Sequence, residues 1–389
     1  MRTWLYYIIS YLFIAAALPG CSTNPVTGKS ELKLVSEEQE ISIGKQKFSP
    51  YRQAQGGDYI VDPEIQNYVQ KVGERLAAVS DRKLPYEFRV INDSSPNAWA
   101  LPGGKIALNR GLLVELQSEA ELAAVLGHEI VHAAAGHTAS NIQRDLLLQG
   151  ALIASSIALS DNEYKNIALT GAQLGAGMLN QKYGRDAERE ADYYGMTYMS
   201  RAGYAPEKAV ELQKTFVRLS KDRNQNWLTG LFASHPPSQE RVENNQKTLA
   251  GLKQVNGDVG AERYQQKIAR LTRNKPAYEA FDEAGEALKK KNYSSALKLV
   301  DKAIRIEPGE SLFHGLRGEI LSEQGNNKEA RQSLDRAIAL NPDYFKNYLA
   351  RGFVHRDLGN KTLAVNDFEK SNSLLPTTEG QYGLGVIAM

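Results

Sequence analysis

The feature that most restricts what this chain can fold into is a repeat in its last third. Pro308, Pro342 and Pro376 stand 34 residues apart, and Ala296, Ala330 and Ala364 share that spacing. Gly325 and Gly359 keep the same interval, as do Ala303-Ile304 and Ala337-Ile338. A unit of this length holds two helices. Small residues mark where they cross, and a proline ends each unit because it cannot continue a helix. One helix pair cannot bury its apolar face alone, so the units must stack into an α-solenoid starting near Pro276. The last residues reach about one helix into a fourth unit, so a capping helix is expected to be missing.

The 389 residues suffice for two to three domains at about 150 residues each. Lys plus Arg number 47 and Asp plus Glu 45, a balance that gives no argument for a nucleic-acid partner. Cys21 is the one cysteine, which excludes an internal disulfide, a cysteine-rich zinc site and a CxxC redox motif. Histidine is scarce at six, yet His128, His132 and His137 fall within ten residues.

Residues 1–20 read as a signal peptide. Arg2 supplies a positive charge, and Trp4 to Ala17 is a nearly unbroken apolar run, short for a membrane span of ~20 residues. Leu18-Pro19-Gly20-Cys21 resembles a bacterial lipobox, with Cys21 lipidated as the mature N-terminus. A plain secretory signal and an uncleaved anchor are the alternatives. Ser22, rather than Asp, after the cysteine favours the outer membrane facing the periplasm, by resemblance to Gram-negative sorting.

Asn24-Pro25-Val26-Thr27-Gly28 reads as a turn-rich tether, and Ser36-x-x-Gln39 as a capping box opening a helix to about Phe48. Ile65, Val69, Val72 and Leu76 predict a second helix. Tyr86 to Ile91 and Lys105 to Asn109 predict strands, the latter an edge that could pair with an extended peptide. From Ser118 to about residue 250 the pattern is helical. Leu146 to Leu159 and Ile167 to Leu179 are apolar arms of a buried helix pair or lid, or of a membrane-touching hairpin.

His128-Glu129-Ile130-Val131-His132 is an HExxH motif on a helix that starts at Ser118, whose Ser118-x-x-Glu121 is a capping box. Four residues turn a helix by about 400° and rise about 6 Å, so both imidazoles leave one face and suit one tetrahedral Zn²⁺. Glu129, about 100° round, lies where a general base would sit. His137, nine residues from His128, is expected on the far side of the helix, packing or capping near its end. Ala135 and Thr138 stand where the metzincin motif has Gly and His, so that class is excluded. Downstream, Glu188 and Asp192 share a helix face. Glu188 is the third ligand, and Asp192 a carboxylate that orients a ligating histidine, with His128 as the expected partner. Glu190 is expected to be merely exposed. Ser234-His235-Pro236-Pro237 holds His235 in a rigid turn, either as a donor to the oxyanion or as a fourth ligand that silences the site.

HExxH, Glu188-x-x-Ala191-Asp192, His235-Pro236-Pro237 and the upstream Asn97-Ala98-x-Ala100-Leu101-Pro102-Gly103-Gly104 resemble the HtpX-like and CAAX-prenyl-protease zinc metallopeptidases. The 34-residue repeat resembles the tetratricopeptide (TPR) repeat. The first resemblance covers roughly residues 24 to 250. It implies a gluzincin with one Zn²⁺ per chain on His128, His132 and Glu188, with Glu129 as base, Asp192 as supporting carboxylate and His235 capping the zinc in an inhibited state. The branch with a periplasmic address and C-terminal TPR repeats implies outer-membrane protein quality control, in contact with the barrel-assembly machinery.

The expected architecture is mainly α: a gluzincin metallopeptidase domain with a small β-sheet, then an α-solenoid of TPR helix pairs. The divisions are a signal peptide (1–20), a lipidated tether and N-terminal helix (21–60), a peptidase domain (61–250), a linker helix (251–275) and TPR repeats (276–389). The expected function is a membrane-anchored, periplasm-facing zinc endopeptidase that acts on unfolded or misassembled envelope proteins. The competing reading is a TPR scaffold or chaperone for outer-membrane protein assembly with a plugged zinc site.

Overall fold

The computed structural model describes residues 21–144, 183–221, 229–253 and 256–388. The signal peptide and the apolar arms of 146–179 lie outside the described residues. Among the described residues no helix is long and apolar enough to cross a membrane.

The segment expected to be a bare tether is a docked hairpin of β1 (Cys21–Thr23) and β2 (Ser30–Leu32). Asn24 makes it so. Its Oδ1 accepts from the Val26 and Thr27 amides, and its Nδ2 donates to the Ala135 carbonyl at 2.8 Å. An Asx turn thereby becomes an anchor on the peptidase core.

Helix α1 (Glu37–Ala54) starts at the Ser36 capping box and α2 (Pro63–Ala77) at the Asp62 cap. Strands β3 (Glu87–Ile91), β4 (Ala98–Leu101) and β5 (Lys105–Asn109) form one sheet in the order β3-β5-β4. Strand β5 pairs parallel with β3 and antiparallel with β4. Lys105–Asn109 is therefore the central strand and not the expected edge. The unbroken run Ile106-Ala107-Leu108, wholly buried, is the pattern of a strand covered on both faces. The edge beside it is β4, to which the sequence reading assigned no structure. The two join through Pro102-Gly103-Gly104, where both glycines adopt positive φ (72° and 81°).

The helical layer consists of α3 (Glu119–Ala134), α4 (Arg185–Arg201), α5 (Glu207–Ser220), the short helix Thr229–Ser234 and α6 (Gln239–Gly251). Helix α7 (Ala261–Lys289) carries Pro276 in its interior and runs without interruption through the place where linker and repeats were divided. Its Tyr264, Ile268 and Leu271 are buried at the peptidase end, and Ala277, Ala280 and Ala284 at the repeat end.

The repeats are α8 (Tyr293–Ile306), α9 (Ser311–Glu323), α10 (Asn327–Leu340), α11 (Phe345–Asp357) and α12 (Lys361–Leu374), followed by α13 (Thr378–Ala388). The periodic Ala296, Ala330 and Ala364 are wholly buried where helices cross. Gly325 and Gly359 both take φ +78° at helix ends. Helix α13, the single helix of a further unit that the period predicts, packs on α12 and α11. The array is docked on the peptidase. Gln53 donates to the Asp343 carbonyl and accepts from the Phe345 amide, while Glu310 accepts from Asn92 and Tyr278. The Arg110 guanidinium lies 3.4 Å from the Tyr278 ring centroid. A continuous apolar core runs from Val26 through the sheet to Tyr344.

Candidate metal centre

Helix α3 begins where Ser118 Oγ accepts the Glu121 amide, while the Glu121 carboxylate accepts from the Gln117 amide, one residue before the position a capping box uses. Almost every side chain of α3 is buried, so its polar residues are costly unless they are used. Helix α4 crosses α3 at two glycines. A Cβ on Gly127 would lie 3.1 Å from the Gly195 carbonyl oxygen, and one on Gly195 would lie 3.1 Å from the His128 amide nitrogen. This approach carries Glu188 and Asp192 to the histidines of α3.

One ligand atom each from His128, His132, Glu188 and His235 lie within 4.8 Å of one another, a cluster that could hold a metal ion. His128 Nε2 stands 3.1 Å from His132 Nε2 and 3.2 Å from His235 Nδ1. Glu188 Oε1 is 3.0 Å from His235 Nδ1 and 3.4 Å from His132 Nε2. Glu129 is 2% exposed, and its Oε1 is 3.4 Å from His235 Nε2.

The donor set fits a cation. The outward nitrogen of His128, Nδ1, faces Asp192 Oδ1 at 3.1 Å and must carry the proton it donates. The outward nitrogen of His132, Nδ1, faces His137 Nδ1 at 2.9 Å, and His137 Nε2 faces Glu190 Oε2 at 3.1 Å. With His137 neutral, the carboxylate fixes the order of protons: His137 Nε2–H donates to Glu190, so His137 Nδ1 accepts from His132 Nδ1–H. With His128 neutral as well, both inward Nε2 atoms are lone pairs facing each other, an arrangement that a shared cation satisfies.

Without a bound cation, a proton on His128 takes the cation's place between the two rings. Burial opposes charge on His128, but Glu188 and Asp192 outweigh it and push the imidazolium up to about 10. His132 is driven well below the usual imidazole range by burial. Burial alone would raise Glu188, yet His235 and His128 hold it well below the ordinary carboxylate range. Glu129 is raised by burial, and its Oε2 has no hydrogen-bond partner among the described residues. A cavity of about 60 Å³ lined by Met196, Met199, Leu212 and Leu231 borders His128 and Glu129 and keeps their surroundings apolar.

Four participants escaped the sequence reading. His137 is not on the far side of α3. The helix ends at Ala134 and Gly136 turns the chain at φ +69°, so a helical count of 100° per residue no longer applies. Glu190 is not a bystander: besides His137 it pairs with Lys29 at 2.5 Å, and the His137 bond leads the effects that lower its pKa. Arg241 donates from Nε and Nη2 to the two Asp192 oxygens at 2.8 and 2.7 Å, and its Nη1 lies 2.8 Å from Glu188 Oε2. Ser238 caps α6 just before it, which places Arg241 in the first turn. Tyr183 also stacks on His132, with centroids 3.8 Å apart.

The sequence profile of Peptidase family M48 matches residues 63–249, and a TPR repeat profile matches residues 318–359. The metalloprotease YcaL of Escherichia coli is 30% identical over 199 residues, covering 49% of this chain and 75% of YcaL. The chain belongs to peptidase family M48. This M48 peptidase is also 28% identical over 270 residues to the mitochondrial metalloendopeptidase OMA1 of Saccharomyces cerevisiae, covering 62% of this chain and 75% of that one. To the putative beta-barrel assembly-enhancing protease of Vibrio cholerae it is 29% identical over 245 residues, 60% of this chain and half of that relative's length. The family resemblance read from HExxH, Glu188 and His235 therefore holds. The M48 chain is a metallopeptidase joined to TPR repeats.

Proposed function

We propose that this M48 chain is a zinc endopeptidase, anchored to the periplasmic side of the outer membrane through a lipid on Cys21, that hydrolyses misfolded or stalled envelope proteins. The observation that carries the chemistry is the pair of inward Nε2 atoms, 3.1 Å apart, beside Glu188 and the buried Glu129. Two imidazoles and a carboxylate without thiolates are the donor set of hydrolytic zinc. His128, His132 and Glu188 would hold the ion, which supplies Lewis-acid polarisation of the scissile carbonyl and of the attacking water.

Glu129 takes the proton released as water attacks the carbonyl carbon, and hands it to the amine as the C–N bond breaks. Its raised pKa makes it a stronger base than an exposed carboxylate. Asp192, clamped by Arg241, holds His128 in the ligating tautomer. His235 Nδ1 points into the ligand cluster, which supports the reading of His235 as a fourth ligand that closes the site in this conformation. Opening would move His235 away and free a position for substrate.

The client class is supported by the name of the Vibrio cholerae relative and by the lipobox-like start. A cleft of about 1490 Å³ lies between the peptidase and the repeats, walled by Ser94 and Arg110 on one side and by Asp282, Leu316 and Asn347 on the other. It offers the TPR array a place to hold a client or the barrel-assembly machinery. The test compares the wild type with Glu129→Gln, measuring bound zinc and cleavage of an unfolded outer-membrane β-barrel protein. The variant should retain zinc and lose cleavage by a factor of about 10² or more. Equal cleavage rates would overturn the assignment of the base.

A further inference from the structure

We infer that His137 and Glu190 are positioning residues of the metal centre: Glu190 orders the His137 imidazole, and His137 locks His132 in the tautomer that presents Nε2 to the ion. The inference rests on the proposed metal site and deepens it.

The two ligating histidines are supported differently. His128 reaches its carboxylate, Asp192, directly, whereas His132 reaches Glu190 through a second imidazole. For a neutral His137 the geometry leaves one order of protons along this chain. Glu190 as a carboxylate can only accept, so His137 Nε2 donates and His137 Nδ1 is the acceptor for His132 Nδ1–H. Reversing either step would set two donors or two acceptors face to face at about 3 Å inside the protein and leave buried polar groups without a bond. His132 is wholly buried, so no water can substitute for His137.

His137 owes its place to the N-terminal hairpin as well as to the turn at Gly136. Asn24, itself buried, donates to the carbonyl of Ala135, the residue that ends α3. Lys29, from the same hairpin, pairs with Glu190. Lys29 is largely exposed, so its ion pair adds little energy and orients Glu190 rather than holding it. The segment that follows Cys21 is in this way part of the support of the metal centre. Movement of the hairpin would reach His132 through Ala135 and His137.

Two measurements on the full chain test this. The first is metal affinity by competition with a zinc chelator. His137→Leu should weaken binding about 10- to 100-fold and Glu190→Gln by a smaller factor. His137→Asn, whose amide oxygen can replace Nδ1 as acceptor, should recover part of the loss. Affinities for His137→Leu and Glu190→Gln within twofold of wild type, with the fold intact by circular dichroism, would overturn the proposal. The second is the ¹⁵N shift of the His132 ring in the metal-free protein, which needs no ion. A single Nδ1–H tautomer in wild type that becomes mixed in His137→Leu is expected. A mixed tautomer already in wild type would overturn the proposal. A wild type that binds no zinc overturns the metal-centre reading instead, and the ring shift still decides the role of His137.

Discussion

Gly195 faces the backbone of His128 so closely that a Cβ on it would lie 3.1 Å from the His128 amide nitrogen. The neighbouring atom is backbone inside a buried helix and cannot swing aside. Gly195→Ala must therefore push α4 outward by a few tenths of an ångström, moving Glu188 and Asp192 away from the histidines. The expected result is a destabilisation of about 1–3 kcal/mol by denaturant titration and at least a tenfold loss of peptidase rate. Gly385→Ala, in α13 with open space around its Cβ position, is the control. It should leave activity unchanged and add up to about 1 kcal/mol of stability.

His235 has its Nδ1 3.0 Å from Glu188 and 3.2 Å from His128 Nε2. As the proposed fourth ligand it would hold the position that substrate needs. His235→Ala should raise basal cleavage of an unfolded substrate several-fold at saturating zinc. A fall to the level of Glu129→Gln would instead make His235 a donor to the oxyanion.

The legible part of this site lay in spacings within single helices. His128, Glu129 and His132 read directly because four residues close one helical turn, and Glu188 with Asp192 read for the same reason. The 34-residue period marked the solenoid because the same crossing geometry recurs, and Ala296, Ala330 and Ala364 are all wholly buried. What stayed hidden depended on chain reversals and on long-range pairing. His137 was misplaced because Gly136 ends the helix before it, and the central position of β5 depends on β4, a four-residue strand with no alternation to mark it. Arg241 lies 49 residues from Asp192, and no local pattern links the two.

Asp192 joins His128 to Arg241, so its removal has two separable effects. Asp192→Ala frees the outward nitrogen of His128, which should weaken zinc binding about 10- to 100-fold in chelator competition. It also takes away one of the two carboxylates facing a buried guanidinium. Breaking a buried pair from one side costs about 3–5 kcal/mol, and the Glu188 contact with Arg241 should keep the loss at the lower end of that range. Thermal unfolding in the presence of a chelator measures this second effect alone. No change in that measurement would mean that Arg241 is compensated elsewhere.

Glu119 ties α3 to three other parts of the chain. Its carboxylate accepts from Tyr68, from Tyr204 and twice from Arg263, at 2.6–3.0 Å, while it is 5% exposed. Burial would raise its pKa, but these bonds outweigh burial and lower it below 4.5. A carboxyl depressed on folding contributes stability that is fully present above its unfolded value and is lost as pH falls through the folded one. Glu119→Gln should therefore cost about 1–3 kcal/mol at pH 7, measured by urea unfolding. The gap between wild type and variant should narrow as pH falls from about 4.5, where the unfolded carboxyl takes up its proton, through the lower folded value, where the native carboxyl becomes neutral as well. A gap that stays constant from pH 7 to pH 3 would show that Glu119 acts through packing and not through its charge.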